Sequence, residues 1–209
     1  SGRTLRAFDD AGNLTRETDA RGSIVARAYD EANRVAAHWD ATRADATRVS
    51  YAYDLPGDCA SARCSNVGGR LTTVRYPLGS SAFGIDRYGY DPRGFEVLRE
   101  RTIDGVAYEL RTLRDALGRV VGRRFPGGHG FDMVLDGLGR ATSVPGYLPT
   151  LSYDARGQRN FELLANGVAT SWQYDERSRL LERDTRLVGG APLAVLGYGY
   201  DRASNIRSI

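Results

Sequence analysis

Lysine is absent from this chain of 209 residues: every one of its 29 basic side chains is arginine. That reads as compositional bias of the source genome at least as much as a demand for guanidinium chemistry. Histidine occurs only at His38 and His129, and cysteine only at Cys59 and Cys64. So sparse a set argues against a metal centre, which needs three or four ligands brought together. There is no Gly-x-Ser-x-Gly elbow, no phosphate-binding loop and no zinc-protease helix motif. No catalytic, cofactor-binding or metal-binding residue is therefore nominated, and no cofactor is expected. No run approaches the ~18 apolar residues of a membrane-spanning helix, and no signal-peptide pattern opens the chain. The net charge of +3 is small and spread along the sequence, which argues against a nucleic-acid partner.

What the chain has instead is repetition. One phrase recurs nine times: an aromatic residue (Arg114 and Leu135 in two copies), Asp, two variable residues, a small residue, in most copies Arg or Asn, then as a rule an apolar residue. Its Asp positions are Asp9, Asp30, Asp54, Asp91, Asp115, Asp136, Asp154, Asp175 and Asp201. The steps between them are 21, 24, 37, 24, 21, 18, 21 and 26 residues. A period of this size marks an array whose units bury their apolar faces only against their neighbours. Domain counting by length does not apply, and residues 1–209 read as one continuous array. Both ends fall close to a copy of the phrase without an obvious capping unit, so the chain is expected to be a piece of a longer protein. Ser1-Gly2 reads as either a cloning scar or native sequence.

Asp followed three residues later by Gly is the preference of a type I turn closed by a residue in the left-handed region. The Gly slot holds Gly12, Gly69, Gly94, Gly118, Gly139 and Gly157. Asn33 tolerates the same geometry, whereas Ser178 and Ser204 fit it less well. The Asp carboxylate accepts backbone N–H groups inside such a turn, which explains it without catalysis. On either side lie strands: Tyr51/Tyr53, Tyr88/Tyr90, Trp172/Tyr174 and Tyr198/Tyr200 are aromatics two apart, hence on one face. Asp104-Gly105 and Asn166-Gly167 are expected to form type I′ hairpin turns at the opposite strand ends, with Asp19–Gly22 as another turn. No segment shows a capped stripe of 3.6-residue period, although the Ala-rich stretch 36–49 would suit a short helix. The fold class is all-β: an antiparallel meander of repeated β-hairpins, roughly 16 to 18 strands.

One segment breaks the pattern. Asp54 and Gly69 are separated by 12 residues more than the other copies, an inserted loop over 55–68 that holds both cysteines. In an exported protein Cys59 and Cys64 would close a small disulfide; free thiols or half a metal site are the alternatives. His38 and His129 lie outside any motif and read as surface or turn residues. The Arg slot after the turn holds Arg34, Arg70, Arg119, Arg140 and Arg179. In stacked hairpins these guanidiniums would lie over a neighbouring Tyr ring or pair with a neighbouring Asp.

The pattern Tyr-x-Tyr-Asp-x-x-Gly-Arg-Leu, clearest at Tyr51–Asp54 with Gly69–Leu71, Tyr88–Gly94, Trp172–Leu180 and Tyr198–Ile206, resembles the YD repeat of Rhs proteins. The same repeat appears in the shell components of insecticidal toxin complexes and in teneurins. What the resemblance implies is a curved, ribbon-like sheet, part of a spiral β-shell. In bacterial members that shell encloses the toxic C-terminal part of the same polypeptide, and the protein is secreted or exported. The expected function is therefore a non-enzymatic structural scaffold whose partner is a C-terminal toxin cargo. Nine units look too few to close a shell, so an open sheet or a homodimer through exposed edges is expected. The family's self-cleaving core uses Asp-Pro-x-Gly motifs; Asp91-Pro92-Arg93-Gly94 is the one such string, and it reads as a repeat turn. An alternative is a surface adhesion module, binding carbohydrate or protein through the 55–68 loop or Trp39.

Overall fold

The computed structural model describes residues 3–55, 64–79 and 82–209. Among these residues, twenty strands and one helical turn follow in order. They are β1 (Leu5–Phe8), β2 (Leu14–Thr18), β3 (Ile24–Tyr29), β4 (Val35–Asp40), α1 (Ala44–Thr47), β5 (Val49–Tyr53), β6 (Leu71–Leu78) and β7 (Ala82–Tyr90). Next come β8 (Glu96–Ile103), β9 (Val106–Arg114), β10 (Val120–Arg124), β11 (Gly130–Asp132), β12 (Val134–Leu135), β13 (Ala141–Ser143) and β14 (Thr150–Tyr153). The chain ends with β15 (Arg159–Leu163), β16 (Val168–Tyr174), β17 (Leu180–Leu187), β18 (Pro192–Gly197), β19 (Gly199–Tyr200) and β20 (Ile206–Ser208).

The fold is all-β, and its sheets run in strict chain order. β1 to β11 form one sheet, β14 to β18 another, with β12–β13 and β19–β20 as two-stranded pairs. The strand count exceeds the expected 16 to 18 because breaks split long strands, as at Tyr198 between β18 and β19. The short helix that 36–49 would suit shrinks to the single turn α1, flanked by strands. By compactness the chain divides into two units, residues 1–113 with 123–129, and residues 114–122 with 130–209.

The phrases form the hairpins their sequence predicts, and at Phe8, Tyr29, Tyr90 and Tyr174 the register shifts beside the aromatic residue. Phe8 faces Leu14, Tyr29 faces Val35, Tyr90 faces Glu96, and Tyr174 faces Leu180. Two expectations about turns change. Ser178 and Ser204 adopt positive φ (65° and 69°) and close the same turn as glycine. At Asn166-Gly167 only Gly167 takes positive φ (83°), and its N–H bonds to the Leu164 carbonyl at 3.0 Å. That hairpin is therefore a type I turn with a left-handed closing residue; Asp104-Gly105, with both φ positive (49° and 77°), is the type I′ turn.

The sheets are single layers, and burial is correspondingly thin. Ala37, Cys64, Val67, Leu98, Leu151 and Ala169 are the buried apolar residues among those described. The chain exposes 13208 Å², against about 9,600 Å² expected of a compact monomer of its mass. Where a sheet has no second layer, side chains lie flat on it. Tyr76 does so over its cross-strand partner Gly84, where any Cβ would collide with the ring. Its hydroxyl reaches buried Asp86 at 3.1 Å, which also holds Arg101 at 2.6 and 2.8 Å. Burial pushes the Asp86 carboxyl up, but the Arg101 and Tyr76 hydrogen bonds outweigh it and hold it below the usual range.

The described end of the 55–68 insertion is packed down. Cys64 and Val67 bury against Leu98 and Tyr90. The Tyr90 carbonyl accepts bonds from Ser65 Oγ (3.2 Å) and Asn66 Nδ2 (2.8 Å), and the Tyr90 N–H donates to Ser65 O (3.0 Å). Cys64 is disulfide-bonded, as the exported-protein reading expects; Cys59 lies outside the described residues. This end of the insertion substitutes locally for the missing second layer.

Candidate functional site: the ladder between turns

The turn Asp organises each hairpin. Its Oδ1 accepts the backbone N–H groups two and four residues on: 2.9 and 2.9 Å for Asp30, 2.9 and 2.9 Å for Asp136, 2.9 and 2.8 Å for Asp154, 2.9 and 2.9 Å for Asp175. Asp19 makes the same bonds, at 2.8 Å each, outside the nine phrases. In the turn opened by the insertion, Asp54 takes positive φ (70°) and accepts the Gly69 N–H across the gap at 2.6 Å. Asp91 follows the ordinary pattern, with Arg93 and Phe95 N–H groups both at 3.0 Å, so it is a turn residue as its slot suggests.

The second carboxylate oxygen holds the Arg slot of the same turn. Arg34 Nε reaches Asp30 at 2.8 Å, Arg119 reaches Asp115 at 2.7 Å, Arg140 reaches Asp136 at 2.8 Å and Arg179 reaches Asp175 at 2.6 Å. With Nε engaged, the far end of the guanidinium points along the array to the next turn. Arg34 reaches Asp54 at 2.6 Å, Arg119 the Asp136 carbonyl at 3.4 Å and Arg179 the Asp201 carbonyl at 3.2 Å. At two copies whose slot is not arginine the link persists in smaller form: Asn13 bonds Asn33 at 2.8 Å and Gln158 bonds the Ser178 carbonyl at 3.1 Å.

Four guanidiniums of the slot also lie over the aromatic ring of the following phrase. Arg34 sits 4.3 Å from the Tyr53 centroid, Arg140 4.3 Å from Tyr153, Arg179 4.7 Å from Tyr200 and Arg70 5.6 Å from Tyr90. That ring then reaches back. Tyr29, Tyr53, Tyr90, Tyr153, Tyr174 and Tyr200 each donate their hydroxyl to the carbonyl of the residue just after the preceding turn. The acceptors are Leu14, Val35, Leu71, Ala141, Arg159 and Leu180, at 2.7 to 3.0 Å. Both halves of the sequence expectation for the Arg slot are met, ring stacking and Asp pairing. The hydroxyl half of the ladder has no signal in the sequence beyond the choice of Tyr over Phe.

Electrostatics follow this geometry. The Arg34 backbone N–H is the largest influence holding the Asp30 carboxyl below its ordinary value, and the Arg34 side chain and the Ala32 N–H add to it. The corresponding N–H groups of Arg140 and Arg179 do the same for Asp136 and Asp175. The Arg34 side chain holds Asp54 low from the neighbouring turn.

The remaining candidates lie apart from any shared site. His38 stacks on Tyr51 (5.8 Å between centroids), whose hydroxyl lies 3.2 Å from Nδ1. His129 is exposed in the turn between β10 and β11. Trp39 is half-buried, with the Arg48 guanidinium 4.6 Å from its ring centroid. Among the described residues no group of three or more His, Cys, Asp or Glu is placed to hold a metal. Nor, among them, is any helix long and apolar enough to cross a membrane.

Comparison with known proteins agrees with this architecture. The RHS Repeat family model matches residues 8–42. No curated protein matches the chain. The crystal structure of TcdB2-TccC3 superposes with a TM-score of 0.76 at 20% identity, covering 98% of this chain and 11% of that one. TcdB2-TccC3-Cdc42 (0.75, 21% identity) and TcdB2-TccC3-TEV (0.75, 20%) match over the same shares. The chain thus spans about a tenth of the length of these relatives, and the likeness is one of fold. The resemblance to the Rhs/YD-repeat family is borne out at residues 8–42, where the repeat model matches; over the rest of the chain what is shared with TcdB2-TccC3 is the fold.

Proposed function

We propose that this chain is a non-enzymatic wall segment, a continuous stretch of an Rhs/YD-repeat shell that encloses a toxic C-terminal cargo of the same secreted polypeptide. The observation that carries the reading is the turn-to-turn ladder combined with a single-layer sheet. The Asp carboxylate fixes each turn, while the far end of the Arg guanidinium and the Tyr hydroxyl hold one hairpin to the next. A wall needs that and little else: lateral cohesion, curvature, and no dependence on a packed second layer. The likeness to TcdB2-TccC3, a toxin complex, supports a shell-forming role.

The adhesion reading has less support at the residues described: Trp39 is half-buried with Arg48 against its ring, and Cys64 and Val67 of the loop pack onto Leu98 and Tyr90. Pairing of two copies through sheet edges remains part of the proposal, since free strand edges favour it. The experiment is limited proteolysis of the longer protein, native and after unfolding. Enclosure predicts that C-terminal peptides appear only after unfolding. Equal cleavage in both states would refute it.

A further inference from the structure

We infer that one face of the first unit carries an oxyanion site, centred on Thr73, Arg75 and Arg87. Register places the residues. Ala52 faces Thr73 and Thr73 faces Arg87; Ser50 faces Arg75 and Arg75 faces Ile85. Alternation puts all six on the same face of β5, β6 and β7. A cavity of about 190 Å³ opens there, lined by Ser50, Tyr51, Ala52, Thr73, Arg75 and Ile85.

Two donors on this face have no acceptor among the described residues: Oγ1 of Thr73, which lines the cavity, and Nε of Arg87, on the adjacent strand just outside the lining. The other end of Arg87 is fixed by Glu100 Oε1 at 2.9 Å and Thr102 Oγ1 at 3.2 Å. Arg75 lies 4.8 Å from the Phe83 ring and pairs with no carboxylate among the described residues. Ring stacking fixes the guanidinium plane and leaves its in-plane N–H groups free. Glu100 neutralises Arg87, so the net charge beside the cavity is that of Arg75.

Buried donors without partners cost free energy, and an acceptor that satisfies several at once recovers it. Small Ala52 and Ser50 leave the room. The fitting ligand is a compact oxyanion, either the carboxylate of an acidic side chain or inorganic phosphate. The inference stands whether or not the wall encloses a cargo.

The test titrates the full chain with phosphate and, separately, with N-acetyl-aspartate methylamide, following the backbone amides of Ser50, Ala52 and Thr73 by NMR. Chloride at matched ionic strength is the reference. Saturable shifts are expected with one or both oxyanions and not with chloride, and Thr73→Val and Arg75→Gln should each weaken binding about tenfold or more. Response to both ligands assigns a carboxylate site; response to phosphate alone assigns an inorganic one. Thr73→Val removes a buried, unpaired hydroxyl at constant shape, so its melting temperature without the anion should be unchanged or higher. Shifts that follow ionic strength alone, or unchanged binding in Thr73→Val, would overturn the site and leave water as the partner of these donors.

Discussion

Gly94 and Gly105 lie at the two ends of β8, both at positive φ (90° and 77°), and they differ in what stands beside them. A Cβ on Gly105 meets nothing within 4 Å, whereas one on Gly94 would stand 2.5 Å from Arg70 Nη2 and 2.9 Å from its Nε. Gly→Ala at either position incurs the left-handed backbone penalty of roughly 1–2 kcal/mol, and the gain from a stiffer unfolded chain is common to both. Gly94→Ala must also displace the Arg70 guanidinium. That breaks its bonds to the carbonyls of Asn66 (2.7 Å) and Gly68 (3.2 Å) and its stacking on Tyr90. Bonds from a charged donor are each worth about 1.5–3 kcal/mol when shielded; because these are exposed, we expect a further loss near ~1 kcal/mol in total. Urea unfolding of both variants measures the difference directly. A double variant, Gly94→Ala with Arg70→Ala, should erase the excess. Equal losses at the two glycines, within about 0.5 kcal/mol, would refute the claim that turns are clamped to their neighbours.

Tyr90→Phe removes the hydroxyl bond to the Leu71 carbonyl (2.7 Å) and should cost about 0.5–1.5 kcal/mol; Tyr108→Phe, exposed on β9, should cost almost nothing by the same denaturation assay. Leu98→Ala, 3% exposed beneath Cys64 and Val67, should cost about 2–5 kcal/mol, against under about 0.5 for Leu117→Ala, a turn residue 75% exposed. The turn carboxyls of Asp30, Asp54, Asp136 and Asp175 are held below the ordinary 3.8. Their contribution to stability is therefore complete above that value and is lost as pH falls through the lowered one. Circular dichroism during acidification should show a plateau at neutral pH and a loss of sheet beginning only below about pH 4; stability that rises on acidification would contradict the turn assignment.

The turns and the aromatic faces are legible in the sequence because they are local. Asp, Gly three residues on, and Tyr two apart all act within one hairpin. Ser178 and Ser204 depart from expectation because intrinsic φ preference is weaker than the turn that surrounds them. Once Asp175 holds the Arg177 and Arg179 N–H groups, the residue between is driven to positive φ whatever its type. At Asn166-Gly167 the reverse holds: the dipeptide favours I′, yet Asn166 Oδ1 accepts the Val168 N–H at 3.1 Å and settles a type I turn. Packing of residues 64–68 on Leu98 and Tyr90 has no sequence signal, since it joins segments some thirty residues apart across two strands. The Arg slot is legible as a type of contact, but its direction comes only from register. So does the alignment of Thr73 with Arg87, which no spacing in either strand announces.

The proposed wall is tested most directly by gel filtration with mass spectrometry on the full-length protein, purified without denaturant. The wall reading predicts that the repeat region retains a C-terminal fragment, released only on unfolding. A repeat region that elutes alone under native conditions, with the C-terminal part free, would contradict it.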